Sequence, residues 1–224
     1  MRCLVAGLLC LSLVGCASAP QRPPAYYVVQ SGDTLYAIAW RYGLEWHELA
    51  RWNGLGEAAR LEVGQRLVLR AHGRQPQARR TAASRAVEAV VPPAVAGPPP
   101  FFIWPVPGRV LGEQGQPSGG FGLRLEVSPG EVVRAAADGR VAYVGAGLRA
   151  YGQLVIIKHP AGWLSAYGYN RVPRVKEGDL VQHGQVVAEA GEGPLPDGGM
   201  APQLYFEIRR LGRAVDPRPL LPAR

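Results

Sequence analysis

Three stretches of this sequence decide its fold: Pro129–Gly145 (PGEVVRAAADGRVAYVG), Tyr151–Asn170 (YGQLVIIKHPAGWLSAYGYN) and Gln203–Pro217 (QLYFEIRRLGRAVDP). Each alternates short β-branched or aromatic runs with glycine and proline turns. Val132–Ala136 and Arg140–Val144 flank Asp138-Gly139, a dipeptide that suits a tight hairpin because both central positions tolerate positive φ. Leu154–Lys158 and Leu164–Tyr169 flank Pro160-Ala161-Gly162. Gln185–Ala190 and Gln203–Arg209 follow, the last leading into a turn at Leu211-Gly212. Strands at this spacing predict a compact, mainly antiparallel β domain over residues 101–222.

Toward the N-terminus the periodicity changes. Tyr26–Gln30 is β-branched and aromatic, hence a strand, and Ser31-Gly32-Asp33-Thr34 is a turn ending in helix-capping residues. Leu35, Ile38, Ala39 and Tyr42 recur at helical spacing, with Gly43 as a left-handed stop. A second helix is expected from about Glu45 to Trp52, closed by Asn53-Gly54, and Leu61–Leu69 turns into a second strand. Trp46 and Trp52 are expected in the core and His47 in solvent. The whole chain is thus α+β and multidomain: a small β-α-α-β unit at 26–70, then the β domain.

Between them, residues 71–100 hold six prolines and four arginines with no sustained period, a linker composition. Glycine (29) and proline (21) are too abundant for a helical enzyme, and 47% hydrophobic content excludes wholesale disorder. The net charge of +8 is spread as +2, 0, +3 and +3 over residues 1–25, 26–70, 71–100 and 101–224. A nucleic-acid reader concentrates its charge on one domain or helix, so no nucleic-acid partner is expected. At the start of the chain, Arg2 precedes an apolar run from Leu4 to Val14, too short to span a bilayer but suited to an export signal.

Leu13-Val14-Gly15-Cys16 resembles a bacterial lipobox, which implies a signal peptide at 1–16, lipidation of Cys16 and a short tether at 17–25. Ala17 and Ser18 are not an inner-membrane retention signal in such lipoproteins, so the periplasmic face of the outer membrane is implied. The segment 26–70 resembles a LysM domain over its whole length, on the pattern SGDTL…IA.RYG…L…N…L.VGQ.L. That resemblance implies binding of N-acetylglucosamine-containing glycan, peptidoglycan included. It places the glycan groove at Gly32, Asp33, Thr34 and Leu35 together with Leu61, Glu62, Val63 and Gly64.

From about Gly108 to Leu221 the order of motifs resembles the LytM (lysostaphin-type) zinc endopeptidases. Those enzymes carry H-x-x-x-D, a His after a Tyr-Ala or Tyr-Gly pair, and H-x-H before Phe-Glu. Here the corresponding positions are Gly120 and Arg124, then Tyr169, then Gln203 and Tyr205. A catalytic zinc needs three His or carboxylate ligands and an open water position. Glycine has no ligand atom, a phenol ionises near pH 10, and an arginine cation repels the metal. No metal, no cofactor and no catalytic residue are therefore expected. His159 and His183 fall off the ligand positions and are expected at the surface or in turns.

The combination of lipobox, LysM and degenerate LytM domain resembles the NlpD-type lipoproteins, and its Tyr-Gly-Tyr-Asn and Leu-Tyr-Phe-Glu motifs resemble EnvC. Both activate N-acetylmuramoyl-L-alanine amidases during septal peptidoglycan splitting, by drawing a blocking helix from the amidase zinc. The resemblance implies a partner-binding groove at Gly120, Arg124, Tyr169, Gln203 and Tyr205. The alternative is a passive wall tether in which nothing is activated.

Overall fold

A computed structural model describes residues 24–56, 60–70, 99–115 and 121–224. The signal peptide with Cys16, nearly all of the 17–25 tether and 71–100 linker, and Gly120 lie outside the described residues. Strand β1 (Tyr26–Val28), helices α1 (Leu35–Tyr42) and α2 (Trp46–Asn53) and strand β2 (Arg66–Val68) form the N-terminal unit. The local chemistry sets its boundaries. Thr34 caps α1, its hydroxyl accepting the Ala37 N–H at 3.1 Å, and Gly43 ends it in the left-handed region at φ 63°. Glu45 caps α2 by accepting the Glu48 N–H, and Gly54 ends it at φ 65°. The helices close over Val29, Leu35, Ile38, Leu49, Leu67 and Leu69, a core of the unit's own. Asn53 ties α2 to β2 by donating to the Val68 carbonyl at 2.9 Å and accepting its N–H at 2.7 Å.

Trp46 is buried as expected and Trp52 packs against the same core. His47 is not free in solvent: its ring lies against Trp46 and its Nδ1 is 2.6 Å from the Glu45 carboxylate.

The C-terminal domain runs through β3 (Val110–Gly115), β4 (Phe121–Glu126), β5 (Val132–Arg134), β6 (Gly139–Gly145), β7 (Leu154–Lys158), β8 (Trp163–Gly168), β9 (Asn170–Pro173), β10 (Leu180–Val181), β11 (Val186–Ala190), β12 (Glu192–Pro194), β13 (Met200–Arg210) and β14 (Arg213–Val215). The large sheet has the order β10-β6-β7-β8-β13-β4-β3, with β12 and β14 also paired to β13. A second sheet, β5-β11-β9, packs on it through Val133, Ala188, Leu204, Phe206 and Ile208. All strand pairs among the described residues are antiparallel, and β7 and β8 form the expected hairpin.

The hairpin expected at Asp138-Gly139 does not form. β5 pairs with β11 and β6 with β7, so the chain crosses between sheets through the fully buried Ala135–Ala137. Asp138 serves this crossover: its carbonyl meets His159 Nδ1 at 2.7 Å and its carboxylate accepts the His183 N–H at 2.7 Å. That backbone bond comes first among the effects holding the Asp138 carboxyl below the usual range.

The N-terminal unit sits on the other face of the large sheet. Helix α1 lays Ala37 and Trp40 over Tyr143, Leu154, Ile156 and Leu164. Arg209 of β13, 1% exposed, donates from Nη1 to the Trp40 carbonyl at 2.9 Å, with its guanidinium 3.6 Å from the Trp40 ring centre. Lys158 of β7 stands 4.5 Å over the Trp46 ring. Both are cation–π contacts in a partly dry seam, where such contacts are strongest.

Candidate functional sites

In the β domain the four described substituted positions come together: Arg124 lies on β4, Gln203 and Tyr205 lie on β13, and Tyr169 directly follows β8. Register pairs Arg124 of β4 with Tyr205 of β13, and Tyr205 with Gly168 of β8. Residues directly opposite share a face, so Arg124 and Tyr205 lie in one row, with Tyr169 immediately after it. Gln203, Tyr205, Glu207 and Arg209 alternate with the core residues Leu204, Phe206 and Ile208, which puts all four on the face away from the second sheet.

That face is packed rather than open. Tyr205 is fully buried and its ring lies across Gly122, where any Cβ would collide with it. Its hydroxyl donates to Glu207 at 2.5 Å, and Arg209 Nε donates to the other oxygen of Glu207 at 2.5 Å. Burial, then the Glu207 charge, pushes the Tyr205 hydroxyl far above the usual phenol range, so it stays protonated. Burial also raises the Glu207 carboxyl, opposed by Arg209 and by both hydrogen bonds.

Tyr169 holds a left-handed backbone, φ 62°, which is uncommon outside glycine. Its neighbours fix that conformation. Its N–H donates to the Tyr151 carbonyl at 2.8 Å and its carbonyl accepts the Gly191 N–H at 2.9 Å. Its hydroxyl receives Gln114 Nε2 at 2.6 Å and reaches the Ala150 carbonyl at 3.2 Å. Gln203 is fully buried, with Nε2 donating to the Pro194 carbonyl at 3.0 Å. Arg124 alone of the four described positions keeps partial exposure, its guanidinium lying across Gly112 of β3.

The structure thus brings Arg124, Tyr169, Gln203 and Tyr205 together. Three of them fill the cleft and Arg124 stands at its rim. The donor set does not fit a zinc centre: two phenols, an amide and a guanidinium occupy the described positions, and the Tyr205 ring takes up the space over Gly122. Among the described residues no three His, Cys, Asp or Glu side chains converge as metal ligands.

His159 also departs from expectation. It is 2% exposed, with Nε2 2.8 Å from the Ser165 hydroxyl, which is 2.8 Å from the Tyr167 hydroxyl, which accepts the Ala136 N–H. Burial lowers the His159 ring to about 4 and pushes the Tyr167 hydroxyl up to about 12. The chain is tied from β7 through β8 to the crossover, on the core side of the sheet. His183 is exposed, as expected of a turn residue. The alternation of polar and apolar residues in WLSAYG marks Ser165 and Tyr167 for one face, but nothing local marks His159 as their partner.

In the N-terminal unit, the two turns expected to bind glycan are tied side by side. The Gly64 N–H donates to the Val29 carbonyl at 2.8 Å and the Val29 N–H to the Gln65 carbonyl at 2.9 Å. Gly32 and Gly64 have φ of 82° and 90°, and a Cβ on either would meet nothing within 4 Å. Glu62 is exposed and Val63 is 71% exposed, with Leu61 half-buried beside them. The remaining three build the turn. The Leu35 side chain belongs to the core, Thr34 caps α1, and the Asp33 carboxylate accepts from the Tyr27 hydroxyl at 2.7 Å and the Gln30 N–H at 2.8 Å. Gly32, Glu62, Val63 and Gly64 are the open surface.

Residues 27–70 match the LysM domain and residues 119–217 match peptidase family M23. The chain is 34% identical to "Lipoprotein NlpD/LppB homolog" of Pseudomonas aeruginosa, over 99% of this chain and 92% of that protein. It is 35% identical to "Uncharacterized lipoprotein YgeR" of Escherichia coli, over 95% of this chain and 89% of that one. "Murein hydrolase activator NlpD" of Escherichia coli is 30% identical, over 88% of this chain and 68% of that protein. The chain belongs to the NlpD/LppB family of lipoproteins, with a LysM domain joined to a domain of peptidase family M23.

Proposed function

We propose that this protein is a non-catalytic, peptidoglycan-binding lipoprotein that activates N-acetylmuramoyl-L-alanine amidases. The activity serves septal peptidoglycan splitting and daughter-cell separation, and works by relieving amidase autoinhibition. The observation that carries this reading is the Tyr205 ring packed over Gly122 on a peptidase scaffold, with phenols, an amide and a guanidinium at the described positions, a donor set unsuited to a zinc centre. The activator named among its relatives supports the same reading. An activator need only bind the open amidase better than the closed one, each 1.4 kcal/mol of difference shifting the ratio about tenfold.

The amidase's regulatory segment is proposed to meet the rim at Arg124, over a floor formed by Tyr169, Gln203 and Tyr205, with Gly120 in the adjoining segment. Arg124→Glu reverses the rim charge without entering the buried packing. It is expected to weaken amidase binding by about 2 kcal/mol, roughly 30-fold, the scale of an interface arginine. Calorimetry with the regulatory segment checks this, alongside an unchanged denaturation midpoint. Full affinity in the variant would remove Arg124 from the contact.

The LysM domain is proposed to hold glycan strands on Gly32, Glu62, Val63 and Gly64, with Asp33, Thr34, Leu35 and Leu61 shaping the turns. Backbone amides at such turns suit N-acetyl groups, which offer one donor and one acceptor each. Val63→Asp should lower retention on purified sacculi about tenfold at unchanged stability, read by sedimentation. Equal retention of the variant would place the glycan elsewhere.

Anchoring is proposed through lipidated Cys16 at the periplasmic face of the outer membrane, enriched at the division site. One acyl chain holds a protein only marginally, and stable attachment takes more than one. Cys16→Ala should therefore shift the protein from the outer-membrane fraction to the soluble periplasm or to uncleaved precursor. Persistence in the outer membrane would contradict lipid anchoring.

A further inference from the structure

A cavity of about 410 Å³ opens at the junction of the two domains, with walls from both. The LysM domain supplies Tyr27, Gln30 and Arg41, and the M23 domain supplies the segment from Gly147 to Tyr151. Clefts of this size at a domain junction are common ligand sites. Gln30 leads directly into the Ser31–Leu35 turn, so the cavity continues from one edge of the glycan-facing surface.

The walls are held in place without a ligand. Arg41 donates to the Tyr27 hydroxyl at 2.5 Å and to the Gly147 carbonyl at 3.2 Å, bridging the two domains. The Gly147 N–H donates to the Tyr143 hydroxyl at 3.0 Å, and the Tyr151 N–H to the Leu148 carbonyl at 2.9 Å. The Asp33 carboxylate beside the cavity already accepts from Tyr27, Gln30 and Arg41. Arg149 is exposed and forms no ion pair among the described residues. The site therefore offers an exposed guanidinium with no carboxylate partner among the described residues, next to the proposed glycan surface.

We infer that this junction binds a carboxylate carried by the glycan strand, with Arg149 as the charge that reads it. The inference rests on the proposed glycan binding of the LysM domain. Peptidoglycan presents carboxylates from two sources, the lactyl group of muramic acid where the stem has been removed and the peptide stem where it is attached. Guanidinium pairs with either through charge-assisted hydrogen bonds. Binding there would engage both domains at once, so the strand would be held across the seam rather than by the LysM domain alone.

Three tetrasaccharides of equal length test this by calorimetry on the full chain in detergent: the N-acetylglucosamine tetramer, stem-free peptidoglycan glycan and the same glycan carrying stems. At least one carboxylate-bearing probe should bind about tenfold tighter than the neutral tetramer. The probe with the advantage identifies the source, lactyl if only the stem-free glycan gains, stem if only the stem-bearing glycan does, and either carboxylate if both do. Arg149→Glu should abolish that advantage while leaving affinity for the neutral tetramer unchanged, and Arg149→Lys should keep part of it. Equal affinity for all three probes, or an advantage that survives Arg149→Glu, overturns the inference and leaves glycan binding standing. Binding of none of the three overturns both.

Discussion

Arg209→Met is expected to destabilise the protein by about 3–5 kcal/mol, because it strands the Glu207 carboxylate inside the sheet. Glu207 is fully buried and Arg209 1% exposed, so water cannot replace the lost partner. The same change removes the donor to the Trp40 carbonyl and the cation over the Trp40 ring, which hold the LysM domain against the sheet. Two consequences follow in a urea titration. The midpoint should fall, and the single transition of the native chain should divide as the LysM domain loses its coupling to the M23 domain. Adding Glu207→Gln should restore much of the M23 stability, since a neutral amide can still accept from Tyr205. It should leave the two domains uncoupled. A loss below about 1 kcal/mol in the single variant would contradict the buried ion pair.

The second large effect is a loss of stability in mild acid. In an unfolded chain the His159 ring titrates near 6.5, whereas in the fold burial lowers it to about 4. Between those values the unfolded chain binds a proton that the folded chain refuses, so stability rises with pH there. The contribution is complete above pH 6.5 and is lost as pH falls toward 4, by about 3 kcal/mol at the limit. The Asp138 carboxyl, itself lowered, stays ionised across this window and does not reverse the trend. His159→Gln should start from a lower midpoint at neutral pH, yet fall less between pH 6.5 and 4. Parallel curves for the two proteins would show that His159 is not the titrating group.

The LysM domain was legible because its boundaries are local. Thr34, Gly43 and Gly54 each act within a turn of their own helix, and each sits where the spacing placed it. The β domain was legible as a set of strands but not as a pairing. Asp138-Gly139 carries the chemistry of a hairpin turn, yet the buried Ala135–Ala137 crossover sends β5 to β11 and β6 to β7. Strand partners chosen at long range override the local turn signal.

The site followed the same division. Alternation along β13 and the Arg124–Tyr205 register put the substituted positions on one face, as the motif spacing implied. What covers that face comes from elsewhere. The segment from Arg149 to Tyr151 and helix α1 are far from β13 in sequence, and with β12, its hairpin partner, they pack that face and leave Arg124 at its edge. The burial of His159 has the same origin, since Ser165 reaches it from β8 and the Asp138 carbonyl from the crossover before β6.

The central claim is that a peptidase fold without zinc chemistry activates another hydrolase, and dye release from labelled sacculi tests it most directly. The protein alone should release nothing above background. Added to a cognate amidase, it should raise the amidase rate several-fold, and Arg124→Glu should remove most of that gain. Chelator-sensitive release by the protein alone, or an amidase rate unchanged by its addition, would contradict the account.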